Sequence, residues 1–434
     1  MINLKNKKIA LLGLGIENQE LLKILLSENK DLNVCVCDKR NKKELKKILG
    51  DLKIKNLSFK TGDSFNNGLE KFDILFRSPG WPISCPGVQK ALEKNVELSS
   101  PMNVFFNLCP SKNIIGVTGS KGKGTTASLI FEILKEDKKR CFLGGNIGVA
   151  PLGFLKKIKK NDFIILELSS FQLEDLMYSP KIAIITNIFP EHLSPADLQN
   201  PNFHKNYSSY IGAKLNIAAY QSKQDFLIVN KRIKKIIDKY KIKSTIKYFS
   251  KSKTENILIG DFNKENIAAA EEVAKVLKIK KDKVEKVLKS FKNLENRLEL
   301  VREIAGIRYY NNSFSTTPES TIADLKSFKK NIVLLAGGAD KGSSFKNLSL
   351  EIKKRVKTTI LFPGEGSNKI KKEFKKINYT KVRNAKSMSE AIKIAKKEAK
   401  TNDIVLLSTA CASFGLFKNY KERGKLFKEE VSKL

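Results

Sequence analysis

The sequence predicts an α/β protein of three domains: an N-terminal Rossmann-like parallel sheet, a central mononucleotide-binding domain with a phosphate loop, and a C-terminal Rossmann-like unit. Three observations predict it. The chain has 434 residues, more than a single hydrophobic core organises. Short apolar runs alternate with amphipathic stretches from end to end, the pattern of strands joined by covering helices. The apolar runs stop at Gly, Ser, Asn or Asp, residues suited to the turn that leads a parallel strand into a helix.

In chain order, "KKIALLGLG", "LNVCVCD" and "FDILFRSPG" read as the strands of a first domain over residues 1–99. A second series, "NIIGVTG", "DFIILELSS", "KIAIITNI" and "QDFLIVN", belongs to residues 100–296. A third, "NIVLLAGG", "TTILFPG" and "NDIVLLSTA", belongs to residues 297–434. Ligands of such sheets gather beyond the carboxyl ends of the strands, so sites are expected in the clefts between the three units. No internal repeat or low-complexity linker interrupts the pattern.

Composition narrows the partners. Hydrophobic residues make up 41% of the chain, enough for packed cores, and no run of 18 apolar residues is present to span a membrane. The N-terminus, "MINLKNKKIALLGLG", enters a strand without a cleavable leader, which argues against secretion and for the cytosol. The six cysteines form no CxxC pair and read as reduced thiols. The formal charge of +37 invites a nucleic-acid reading. Against it, the lysines are dispersed, far outnumber the arginines that read phosphates and bases bidentately, and do not alternate with aromatics. Diffuse charge gives salt-sensitive, unspecific attraction and draws in anionic substrates.

The chemistry starts at "GVTGSKGKGTTASLI", residues 116–130. An apolar strand runs into glycines and then an amphipathic helix. Gly116, Gly119 and Gly122 are expected to bend the backbone so that its N–H groups turn inward. Lys123 then faces the β- and γ-phosphates of a nucleotide at the positive end of the helix. The ATP loop is thus Gly119, Ser120, Lys121, Gly122, Lys123, Gly124, Thr125 and Thr126. A hydroxyl for Mg²⁺ usually follows the lysine; here Gly124 does, and Thr125 stands one place later. The next strand ends at Glu167, a carboxylate that needs a cation such as metal-bound ATP. His192 follows the strand after that, and it shares one connection with His204, the only other histidine.

These residues resemble the Mur ligases, ATP-dependent amide ligases of peptidoglycan synthesis. Within that family they are closest to the members that add D-glutamate to UDP-N-acetylmuramoyl-L-alanine. The resemblance runs nearly end to end and is carried most specifically by "LELSSFQLE" (166–174), "GGNIG" (144–148) and "LLSTACASFGLFKNYKERGKLF" (406–427). It implies that Ile16, Glu17, Asp38, Lys39, Arg40 and the segment Ser78–Gly80 hold the UDP part of the substrate. Asn146, Ser169, Gln172 and His192 then meet its muramoyl-alanine end. It implies ATP and two Mg²⁺ ions on Lys123, Thr125, Glu167, His192 and Lys214, the last as a carbamate, with Asn263, Asn266, Asn296 and Arg297 on the adenine side. Asn312 falls near the γ-phosphate, and Thr316, Lys341, Ser413 and Tyr420 receive glutamate. The implied protein is a monomer with no membrane or specific nucleic-acid partner. The implied reaction activates a carboxylate as an acyl phosphate, which the amine of glutamate then attacks.

The chain departs from the family pattern at several of these positions. Gly124 precedes the hydroxyl, as in the related folylpolyglutamate synthetases. Asn312 replaces a usual Asp, so that Asn312→Asp is expected to preserve or raise turnover. Glu17 stands where a small or hydroxyl residue is usual, and it repels a diphosphate unless it turns away. Asn18 breaks the GxGxxG form. Ser194 replaces a usual Asp in a lengthened connection, Phe262 a His, and Tyr420 a Phe. Two rival readings follow: a folylpolyglutamate synthetase-like ligase, and a non-catalytic nucleotide or UDP-sugar sensor.

Overall fold

The computed structural model describes the chain apart from residues 1–3, 5, 30, 51, 53, 54, 194–201, 330 and 341. The expected residues Lys341 and Ser194 lie outside the described residues. The chain divides into two compact units, Met1–Lys253 with Glu265–Val287, and Thr254–Lys264 with Leu288–Leu434.

The first unit holds two sheets. One comprises β1 (Lys8–Leu12), β2 (Asn33–Asp38), β3 (Asn56–Thr61), β4 (Ile74–Arg77) and β5 (Glu97–Ser99). Its order is β3-β2-β1-β4-β5, and every pairing is parallel. The order reverses between β1 and β4, so the crevice of this sheet opens beyond those two strands. The other sheet comprises β6 (Ile114–Thr118), β7 (Cys141–Gly145), β8 (Phe163–Glu167), β9 (Ile182–Ile185), β10 (Phe226–Asn230) and β11 (Thr245–Phe249). Its order is β11-β10-β9-β6-β8-β7, again parallel throughout. Side chains such as Leu11, Phe76, Phe105, Ile164 and Leu227 join both sheets in one continuous core. Central strands covered on both faces are apolar along their whole length, which is why β6, "IIGVT", and β9, "IAII", read so clearly.

The second unit is built on β12 (Glu299–Ile304), β13 (Ile307–Asn311), β14 (Ile332–Ala336), β15 (Val356–Leu361), β16 (Val382–Asn384) and β17 (Ile404–Leu407), in the order β12-β13-β17-β14-β15-β16. The third sheet is parallel except at its margin, where β12 and β13 form an antiparallel hairpin. Their two-residue turn is Ala305–Gly306, both left-handed at φ 50° and 75°, the conformation whose twist matches the strands it joins. Apolar side chains pack both faces of the sheet, Leu334 and Leu406 on one and Leu335 and Leu407 on the other.

Candidate functional site

The phosphate loop runs from β6 to the helix Lys123–Glu136. Gly119 and Gly122 take left-handed φ values of 141° and 85°, and a Cβ on either would fall about 2 Å from Thr186 Oγ1 or Asn266 Oδ1. Gly116 does not bend the loop as expected. It lies inside β6, and a Cβ there would strike Pro180, Ile217 and Leu168, so it is needed for close packing.

The loop is held from the next strand over. Lys121 N–H donates to Asn187 Oδ1 at 2.8 Å, and Thr186 Oγ1 donates to Lys121 O at 2.6 Å. Ser120 Oγ donates to Phe189 O and accepts from Phe189 N–H, so its third bond, 2.7 Å from Tyr210, is donated by the phenol. Lys123 Nζ rests on Gly119 O and Ser120 O at 2.9 and 3.1 Å. Thr125 and Thr126 are buried, and Thr126 Oγ1 reaches Asn266 Oδ1 at 3.4 Å.

Glu167 ends β8 with 2% of its surface exposed. Asn146 Nδ2 donates to its Oε1 at 3.1 Å, while Oε2 is buried with no hydrogen-bond partner. An orphan carboxylate oxygen beside a phosphate loop suits a divalent cation, which would satisfy it. Among the described residues no three His, Cys, Asp or Glu side chains form a ready-made metal cluster. Protein ligands beyond Glu167 would therefore have to include a hydroxyl such as that of Thr125 or a modified side chain.

Lys214 supplies a candidate for such a modification. It lies on the helix Tyr207–Leu215, only 2% exposed, with Nζ donating to Gly119 O at 2.9 Å and standing 4.6 Å from the Tyr210 ring centre. Burial, then the Lys123 ammonium, push its pKa well below the usual lysine value, so the amine is readily neutral. His192 takes a left-handed φ of 59°, and partial desolvation, together with Lys123, Lys214 and Lys121, lowers its pKa against the pull of Glu191. Glu191 was not anticipated, although it directly precedes His192 in the sequence. Desolvation would raise its pKa, but Lys121 at 3.1 Å, Lys123 and His192 outweigh that and hold it at about 2. Tyr210 was likewise missed, because its partner Ser120 is 90 residues away.

At the first sheet, Asp38 accepts from Leu14 N–H at 2.8 Å, and both its oxygens bond the Arg40 guanidinium, which also donates to Leu14 O. These two expected UDP residues thus brace the turn after β1. Lys39 is exposed, with its ammonium 5.6 Å from the Phe65 ring centre, and Ile16 is 71% exposed. Ser78 N–H donates to Leu12 O, and Pro79 O, in the segment ending at Gly80, accepts from Asn202. Ser169 and Gln172 form a capping box on the short helix Ser170–Leu173, and the Gln172 amide donates to Glu17. The Glu17 carboxylate is therefore held at Gln172. Arg77, fully buried and unanticipated, bonds Asp175 at 2.7 Å and lies 3.6 Å from Glu174.

In the second unit the loops after β13 and β17 are tied together. Arg423, 0% exposed, donates to Ser313 Oγ, Ser313 O and Cys411 O, and its burial lowers its pKa to about 10. Ala410 N–H and Thr409 Oγ1 both donate to Ser315 O. This brings the segments of Asn312, Thr316, Ser413 and Tyr420 into one cluster, with the Tyr420 ring edge-on to Phe314. The Arg297 guanidinium stacks 3.8 Å over Phe314, and Asn296 Oδ1 accepts from Asn311. Asn312 Nδ2 donates to Asp324 Oδ2 at 2.7 Å. Asn263, described with this unit, donates to Ile259 O, whereas Asn266 belongs to the first unit beside Gly122.

Comparison with known proteins agrees with this architecture. Residues 117–299 match the family model of the Mur ligase middle domain, and residues 296–411 that of the Mur ligase glutamate ligase domain. The chain is similar to the UDP-N-acetylmuramoylalanine–D-glutamate ligase of Acetivibrio thermocellus, at 37% identity over 99% of the chain and 97% of the relative. It is similar to that of Clostridium kluyveri at 36% over 99% and 97%. In fold it is similar to the MurF ligase of Thermotoga maritima solved with ADP, with a TM-score of 0.62 at 15% identity over 100% and 97% of the two chains. It is also similar to E. coli FolC with ADP, with a TM-score of 0.55 at 15% identity over 76% and 92%.

Proposed function

The chain belongs to the Mur ligase family, and from that premise we propose that it is the ligase that adds D-glutamate to UDP-N-acetylmuramoyl-L-alanine at the expense of ATP. The observation that carries the reading is the assembly of Lys123, Glu167 with its unpartnered Oε2, and the buried Lys214 around one glycine loop. The choice of substrates rests on the curated relatives, which span nearly the whole chain. ATP and a UDP-linked precursor put the reaction in the cytosol. Residues 1–99 hold the nucleotide end of the precursor, residues 100–296 ATP, and residues 297–434 glutamate.

A carboxylate is a poor electrophile, so the precursor's terminal carboxylate first attacks the γ-phosphate of ATP, the bond to the β-phosphate oxygen breaks, and an acyl phosphate and ADP result. Lys123 and the inward N–H groups of the loop stabilise the charge that builds on the phosphoryl oxygens. Thr125 and Glu167 would hold one Mg²⁺, and His192 with Lys214 as its carbamate a second; these ions supply charge neutralisation of the triphosphate. Carbamoylation converts a buried amine into an anionic group, and the readily neutral Lys214 is the form that reacts with CO₂. The amine of D-glutamate, placed by Thr316, Lys341, Ser413 and Tyr420, then attacks the acyl carbon and phosphate leaves.

The test is ATP-dependent phosphate release against a panel of acceptors and amino acids. UDP-N-acetylmuramoyl-L-alanine with D-glutamate is expected to give phosphate and product. Release only with a folate-type acceptor and glutamate would move the protein to the folylpolyglutamate synthetase reading that Gly124–Thr125 favours, and nucleotide binding without release to the sensor reading. Lys123→Ala is expected to cost turnover roughly 100- to 1000-fold, the scale of one lost oxyanion donor, with the melting temperature unchanged. Retained turnover would refute the loop's role.

A further inference from the structure

The crevice of the first sheet opens between β1 and β4, and the 13-residue helix Ile16–Glu28 begins at its mouth with Gly15 as its N-cap. No side chain caps that helix, so its first N–H groups face an anion-shaped need. Asn18 fixes the helix start to both strands, donating to Leu12 O, Gly13 O and Phe76 O, while its own Oδ1 is buried without a partner. Into the first turn of this helix the protein places Glu17.

Gln172 has no freedom to avoid Glu17. Its Oε1 accepts from Ser169 N–H at 2.9 Å and Ser169 Oγ at 3.0 Å, so its amide nitrogen points at the Glu17 carboxylate, 2.5 Å away. Among the described residues, the other charged groups around Glu17 offer no spare cation. Arg77, from β4, is committed to Asp175, Glu174, Trp81 O and Phe171 O. Asp175 adds like charge, and His204, beyond Glu174, is bonded to Ser170. On its own helix, Glu20 pairs with Lys23. Burial is the main reason that Glu17 titrates at about 7, with Gln172 and Arg77 opposing and Asp175 assisting.

We propose that Glu17 is a specificity-determining residue for the anionic nucleotide end of the substrate: it is latched to Gln172, and a diphosphate binds only as Glu17 takes up one proton and becomes a donor. This rests on the reading that the crevice takes the UDP part of the precursor. A carboxylate at this position repels a diphosphate, whereas a carboxyl group adds an O–H donor to it. Binding therefore draws a proton from solvent wherever Glu17 is otherwise charged, and affinity falls as pH rises past 7. Release of Gln172 from the latch frees its amide for the same ligand.

The probe is UDP-N-acetylmuramoyl-L-alanine itself, whose diphosphate is doubly esterified and whose carboxylate titrates near the ordinary reference of about 3.5, so a proton taken up near neutrality belongs to the protein. Calorimetry in buffers of different ionisation enthalpy is expected to show uptake rising toward one proton per substrate between about pH 7 and 8.5, with Kd weakening up to about tenfold per pH unit. Glu17→Gln is expected to abolish the uptake and flatten the pH dependence. Glu17→Ser serves as a second variant, and melting curves check that both fold. Binding by the unaltered protein without proton uptake, or the same uptake in Glu17→Gln, overturns the inference and leaves the substrate reading standing. No binding to any of the three proteins overturns both.

Discussion

Asn312→Asp restores the residue usual in the family, and the sequence alone predicts preserved or higher turnover. The structure predicts a cost. Asn312 Nδ2 donates to Asp324 Oδ2 at 2.7 Å, and Asp324 is 2% exposed, with Ser408 Oγ also donating to that oxygen. An aspartate brings a second carboxylate against the first. If both stay charged, their repulsion is about 4 kcal/mol at a relaxed separation of about 4 Å and an effective dielectric constant of about 20. If one binds a proton instead, the cost is about 5 kcal/mol at pH 7.5 but only about 1.5 kcal/mol at pH 5, at 1.36 kcal/mol per pH unit above a reference of about 3.9.

The cheaper route at each pH sets the expectation: a loss of about 4 kcal/mol at pH 7.5 that shrinks to under about 2 kcal/mol at pH 5. At roughly 2–4 °C per kcal/mol, calorimetry should place the variant's second-unit melting transition roughly 8–16 °C below the unaltered protein's at pH 7.5, and the gap should close by more than half at pH 5. Turnover at pH 7.5 should fall. A variant as stable as the unaltered protein at pH 7.5, or a gap that does not change with pH, would refute the argument that the amide is there to donate to Asp324.

Arg77→Met removes the cation from Asp175 and Glu174 and leaves carboxylates buried without it; breaking a buried pair in this way costs about 3–5 kcal/mol, so the first unit should melt roughly 6 °C or more lower at pH 7.5 and recover part of that as the carboxylates protonate in mild acid. An unchanged melting temperature would show that the triad contributes no net stability. Lys214 should give a ¹³C carbamate resonance with labelled bicarbonate that Lys214→Ala lacks, and turnover should drop when CO₂ is depleted. An unmodified Lys214 in a protein that turns over normally without CO₂ would exclude the carbamate.

The strands that could be read from the sequence and those that could not divide along a physical line. The apolar runs identified β1, β2, β4, β6, β8, β9, β10, β14, β15 and β17, all interior to their sheets. The six that escaped at the sheet margins are β3 and β5, β7 and β11, β12 and β16; β13, beside β12, escaped with them. A margin strand is partly solvated and meets one neighbour, so "NLSFKT" and "VRN" carry polar residues that no apolar run betrays. The site divides in the same way. Lys123, Glu167 and His192 sit at or just beyond strand ends and were legible there. The partners that decide what Glu17, Arg77 and Asn312 do are fixed only by folding: Gln172 lies 155 residues from Glu17, and Asp175 98 residues from Arg77.

Charge makes the same point more sharply. The net +37 is spread over the chain and specifies nothing. What carries information is that Lys121, Lys123 and Lys214 converge on one loop with Glu191 and Glu167 against them. The crowding leaves opposite marks on neighbouring groups: it holds Glu191 ionised down to about pH 2, and, after burial, it helps push the Lys214 pKa well below the usual lysine value. Both responses reduce the positive charge of the site. On the proposed reading a triphosphate would compete with Glu191 for Lys121 and Lys123, and Lys214 as a carbamate would need a cation of its own. Under the proposed reading two metal ions would balance the site, and Glu167 Oε2, buried without a hydrogen-bond partner, is the oxygen that the first of them would satisfy.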